Sequence, residues 1–170
     1  MENKESITKE GVNYEPKKKH QWLVTFPKSF NIESWVVKST NRPSVIIPEN
    51  FNPATDIPFA FKWNANIIQF VDPIGPSTTE RLFEILRAIN SELLELNIDQ
   101  HPSFVELVKV LKDGFDYDLE LTDPTGTVVE KWTMKGCYIT EINFGELDYN
   151  NKDAVECVMV VQPKTVKLHI

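Results

Sequence analysis

The chain has no run of about 18 apolar residues, so no stretch of it reads as a membrane-spanning helix. Its opening, MENKESITKEGVNYEPKKKH, is polar and lacks the apolar middle of a secretory signal. Cysteine is scarce. Cys137 and Cys157 are the only two, and without a secretory signal they read as reduced core or strand residues rather than as a disulfide. They suggest no metal site either: they lie twenty residues apart, and His20, His101 and His169 match no ligand spacing. Each histidine reads as a surface residue rather than a catalytic base. The six glycines form neither GxGxxG nor a phosphate-binding GxxxxGK pattern, and no GxSxG or HExxH motif occurs. No catalytic, cofactor-binding or metal-binding residue is therefore assigned.

Basic charge is also short. The net charge of −7 argues against a surface built to hold duplex nucleic acid. The deficit is local: residues 116–156 contain ten acids against Lys131, Lys135 and Lys152, which leaves the rest of the chain balanced. One reading is a solvated face that aids solubility. The sharper one is an acidic surface past which something negative slides without sticking. Asp116, Asp118 and Glu120 could suggest a carboxylate metal site. On a strand, however, they follow one face at intervals of about 7 Å and converge with nothing.

What is present is mostly strand. With 41% hydrophobic and 25% charged residues in 170, the chain is long enough to bury a sizeable core. Residues 1–19 read as a flexible polar arm ending in Lys17-Lys18-Lys19, a solvated gatekeeper or else a phosphate or partner contact. Residues 20–170 read as one domain. Strands are expected at Gln21–Pro27, Ser34–Ser39, Val45–Ile47 and Phe59–Phe70. In the last, Phe59, Phe61, Trp63, Ala65 and Ile67 are expected on one face, with Lys62, Asn64, Asn66 and Ile68 on the other. A helix is expected over 77–96, opened by a Ser77/Glu80 capping box and carrying Leu82, Leu86, Ile89, Leu93 and Leu96 as its apolar stripe. Ser103–Lys112 fits a helix better than a strand.

Phe115–Thr122 alternates cleanly, with Phe115, Tyr117, Leu119 and Leu121 inward. Asp123-Pro124-Thr125-Gly126 is a hairpin turn. Thr127–Lys135 returns, with Val128, Glu130, Trp132 and Met134 on one face, and Gly136 marks a bulge or bend. Gly145–Asp153 is a loop, and one or two strands around Pro163 end the chain. The four tryptophans, all in strands, read as core or interface. The pattern is α+β, mainly β: an antiparallel β-sandwich or partly closed barrel with a flanking helix.

The closing stretch carries a resemblance. Glu130-Lys131-Trp132-Thr133-Met134-Lys135-Gly136, then Gly145-Glu146-Leu147-Asp148-Tyr149, then Asn150–Val155 and the alternating Glu156–Val161 resemble the end of the tail tube proteins of contractile-tailed bacteriophages, relatives of the type VI secretion tube. The front is similar too, with an opening strand, an Ile-Pro pair at Ile47-Pro48, and a strand leading to a helix. Pro163 and the length of Asn97–Gly114 depart from the family's pattern.

The resemblance implies a non-enzymatic virion protein assembled in the host cytoplasm. It would form hexameric rings, stacked into the inner tube through which the genome passes. Its partners would be copies of itself, the sheath protein, and baseplate and tape-measure proteins, with no cofactor and no membrane insertion. Asp116, Asp118, Glu120, Glu146 and Asp148 are then expected at the lumen or inter-ring surface. Two alternatives stay open: a baseplate–tube junction or tube-initiating protein of the same fold, and a small-ligand-binding β-barrel with a helical lid.

Overall fold

A computed structural model describes residues 16–47, 49, 62–91 and 102–170. Within these, seven strands and two α-helices follow in the order β1 (Trp22–Thr25), β2 (Val37–Thr40), β3 (Asn66–Val71), α1 (Thr78–Ser91), α2 (Pro102–Asp113), β4 (Phe115–Thr122), β5 (Val128–Asn143), β6 (Glu156–Gln162) and β7 (Thr165–His169). All pairings between strands are antiparallel, in the order β1-β4-β5-β6-β3-β2, with β7 on β5.

The topology turns on β5. Its first half lies between β4 and β7, with Trp132 opposite both Leu119 and Leu168. Its second half pairs with β6, from Tyr138↔Gln162 to Asn143↔Val158. β6 and β7 therefore run end to end along the same edge of β5, broken at Pro163-Lys164. That break lies opposite Gly136, which has φ +60°. Two steps of β4 (Phe115 to Tyr117) lie opposite three steps of β5 (Cys137 to Met134), a β-bulge. The Gly136 N–H leaves the ladder and donates to the Asp116 carboxylate at 2.9 Å. Pro163 has no N–H to offer, so the ladder breaks there at no cost in donors, and Lys164 N–H resumes it on Lys135 O at 3.1 Å. A bent two-stranded ribbon thus serves two sheets, β1-β4-β5-β7 and β5-β6-β3-β2. Among the described residues the path does not close: β1 and β2 end it as edges.

One core fills the space between the sheets and under the helices. Phe26, Phe30, Phe70, Phe115 and Tyr117 form its aromatic centre, with ring centroids 4.8–6.2 Å apart. α1 is capped by two side chains. Asp72 accepts from Thr79 N–H at 3.1 Å and Ser77 Oγ accepts from Glu80 N–H at 3.3 Å, satisfying donors the helix itself cannot. Arg87 on α1 lies 5.3 Å from the centre of the Phe104 ring on α2, joining the two helices.

Four expectations are corrected. The strand expected from Phe59 begins at Asn66, and Trp63 makes only an isolated bridge to Val45; Phe59 and Phe61 lie outside the described residues. Its faces are inverted: Asn66, Ile68 and Phe70 are buried, while Ile67 is 56% exposed. Asn41, just past β2, accepts from Asn66 Nδ2 through its carbonyl oxygen and from Ile67 N–H through its Oδ1. Ser34–Val36 is a 3-10 turn before β2, not a strand, and leaves Trp35 exposed. The buried row of α1 is Leu82, Ile85 and Ala88, with Ile89 packed at its edge and Leu86 only half-buried. Residues 92–96 of the expected helix lie outside the described residues, and Pro102–Asp113 adds a second helix.

Gly145 has φ +84°, and a Cβ there would fall on the Glu156 carbonyl oxygen. Gly126 has φ +88° but open space around it. Gly126→Ala should cost about 1–2 kcal/mol, the left-handed backbone penalty alone. Gly145→Ala should cost clearly more, because backbone must also move. Chemical denaturation of the two variants checks this, and equal losses would show that the close approach is unimportant.

Candidate functional site

Burial of Phe115, Tyr117, Leu119 and Leu121 turns Asp116, Asp118 and Glu120 to the outer face of β4. The antiparallel register then sets bases and hydroxyls against them. Lys131 Nζ lies 2.8 Å from Asp118 and 2.9 Å from Glu120. Thr133 Oγ1 donates to Asp118 at 2.7 Å, and Lys135 is 4.0 Å from Asp116. Hydrogen bonds to these carboxylates push Lys131 up to about 12. Lys167 and His169 of β7 line the same shallow groove, together with Glu106, Lys109 and Asp113 of α2. The three acids do share a face, but it is one of alternating sign. Such exposed pairs add little stability; what they do is cancel the field.

Glu146 and Asp148 lie elsewhere, in the exposed loop after β5, and no hydrogen bond or ion pair joins them to the β4 acids. This loop is pinned by its own side chains: Asn143 Oδ1 accepts from Gly145 N–H, Asp148 Oδ1 from Asn150 N–H and Asn151 Oδ1 from Asp153 N–H, all at 2.8–2.9 Å. It holds Leu147 and Tyr149 out in solvent, at 86% and 107% exposure.

A third site went unrecognised in the sequence. Glu130 is only 6% exposed, on the inward face of β5. Its carboxylate pairs with Lys17, accepts from Trp132 Nε1 at 2.5 Å, and lies 2.7 Å from Arg42. Burial pushes this carboxyl up, but the bonds from Lys17 and Trp132 and the Arg42 charge outweigh it and hold it below the ordinary range. Around it, Lys17, Lys18, Lys19, Trp22, Thr40, Arg42, Leu119 and Leu121 line a pocket of about 420 Å³ at the open seam between β1 and β2. The signal was an acid on an otherwise apolar strand face, with a lysine run available to meet it.

The remaining reactive groups are quiet. Cys137 and Cys157 are free and buried; burial and the nearby Asp116 charge raise the Cys137 thiol to about 12. Among the described residues, no three His, Cys, Asp or Glu side chains group as metal ligands, and no helix is long and apolar enough to cross a membrane.

Replacing Glu130 with Gln should destabilise the fold by about 1–3 kcal/mol at neutral pH, because cations and an indole N–H lose a charged acceptor. The folded carboxyl is depressed, so its contribution is complete above the unfolded value of about 4.3 and is lost as pH falls through the folded one. Stability curves of the two proteins should converge below about pH 4. A gap that stays constant down to pH 3 would show that the carboxylate charge is not what matters.

No family model matches the chain, and no curated protein matches it in sequence. Solved structures do match in shape. The chain is similar to the sheath/tube terminator of the extracellular contractile injection system PVC in the extended state, with TM-score 0.60 and 15% identity over 92% of this chain and 99% of that one. It is similar to the tube-terminating cap of the anti-feeding prophage, with TM-score 0.57 and 13% identity over 98% and 99%. A third likeness is to a chain of the PVC sheath–tube complex, with TM-score 0.55 and 14% identity over 91% of each. The fold is that of the tube and tube-terminating subunits of contractile injection systems.

Proposed function

We propose that this chain is a structural subunit of the tube of a contractile apparatus, forming a hexameric ring that stacks on, or terminates, a hollow tube beside a sheath. The observation that carries this is coverage: nearly the whole chain overlays nearly the whole of the matched subunits of the terminator, cap and sheath–tube assemblies. Physical features agree. Among the described residues β1, β2 and β7 are short edges with one free side, four, four and five residues long, of the kind that neighbouring subunits complete in a ring. The space between the sheets is filled by aromatic side chains, which favours assembly over a ligand-binding barrel.

The finer reading, a phage tail tube in a virion that passes DNA, rests on the sequence resemblance. The Asp116, Asp118 and Glu120 face supports it in a modified form. If this face lines the channel, it does so as a near-neutral wall, the lysines opposite having cancelled its field, and a wall without net positive charge lets phosphate pass. A tube subunit and a tube-end subunit share this fold and differ in whether rings propagate.

Negative-stain microscopy of the purified protein should show rings with a central hole. Long stacks mark a repeating tube subunit and single or paired rings a tube end; monomers at high concentration would refute the reading. Lysine substitution at 116, 118 and 120 should leave rings intact but make them retain DNA at low salt and release it at high salt. Rings that ignore DNA as the parent does would place this face away from the channel.

A further inference from the structure

The loop 144–153 and the pocket at the β1/β2 seam are complementary to one another in charge and polarity. The loop presents Leu147 and Tyr149 outward between Glu146 and Asp148. The pocket has an apolar floor, Trp22, Leu119 and Leu121, and a basic rim, Lys18, Lys19 and Arg42. Lys17 and Arg42 are drawn in by Glu130, whereas Lys18 and Lys19 make no ion pair among the described residues. Thr40 Oγ1, in the pocket wall, is buried without a hydrogen-bond partner, a group left for something supplied from outside.

The two features do not touch within one chain, although Asn143, at the foot of the loop, is only three strands from Ser39, beside Thr40 of the pocket wall, on the order of 15 Å. Leu147 and Tyr149 touch nothing that covers them.

We propose that the loop carrying Glu146, Leu147, Asp148 and Tyr149 of one copy seats in the β1/β2 seam of a second copy. Its acids lie against Lys18, Lys19 and Arg42, and its apolar side chains lie over Trp22 and Leu121. The inference rests on the reading of the chain as a self-assembling subunit and names the contact. Loop and pocket are different patches of one surface, so the contact is heterologous, the kind that closes into a ring or continues as a stack. The loop is already held by its Asn and Asp side chains, so little ordering remains to oppose binding. Placing a seam-filling segment between two unpaired edges also covers them.

Charge exchange tests it. Glu146→Lys with Asp148→Lys, and separately Lys18→Glu with Lys19→Glu, should each weaken self-association by on the order of tenfold or more, about 1.4 kcal/mol per tenfold. Each should keep the parent's circular-dichroism spectrum, since all four positions are solvent-exposed, while its melting temperature falls only by what the lost association contributed. An equimolar mixture of the two variants should assemble as the parent does, because every contact in an alternating ring is again between opposite charges. Sedimentation velocity reads all three. If the parent forms rings but the variants do too, or the mixture stays dissociated, this contact is wrong and the tube reading stands. If the parent itself stays monomeric, the tube reading falls and this inference with it.

Discussion

The bend at Gly136 and Pro163 is the constraint on which the rest of the molecule depends. A straight sixteen-residue strand would be the spine of one broad sheet, with one face bare. The left-handed glycine, the carboxylate of Asp116 that takes up its N–H, and a proline opposite that needs no acceptor fold the ribbon over instead. Both sheets then face a common interior, and Phe26, Phe70, Phe115 and Tyr117 can reach one another. Pro163, a departure from the expected family ending, is thus a working part of the corner.

The charge of the chain divides into two populations by the same geometry. Acids on β4 face bases on β5 across a fixed register and lose their long-range field. Acids of the loop after β5 have no such partners among the described residues, because no described strand lies opposite them. A net charge of −7 therefore describes the molecule poorly. Its surface divides into an almost neutral sheet face, a negative loop and a positive seam.

How much could be read from residues alone follows from how local each determinant is. The hairpin at Asp123–Gly126, the inward face of β4, the bulge at Gly136 and the capped start of α1 each depend on a few adjacent residues, and each was legible. Extrapolation failed at β3, where Ala65–Ile68 offers apolar residues to both faces and only the pairing with β6 and β2 decides which face is buried. The β4 acids were placed on one face correctly, but their neutralisation needs the register with β5. Glu130 sat in plain view on an apolar face, yet its partners lie 88 and 113 residues away.

Sharing β5 between the sheets has a consequence for how the fold comes apart. Neither sheet has an independent set of strands, so opening one removes a pairing partner from the other, and unfolding should be a single cooperative event. The molecule carries its own reporters of this. Cys137 lies opposite Phe115 in one sheet and Cys157 opposite Phe70 in the other, both sealed from solvent. Under native conditions the two thiols should therefore become reactive at one common rate, that of opening the shared strand.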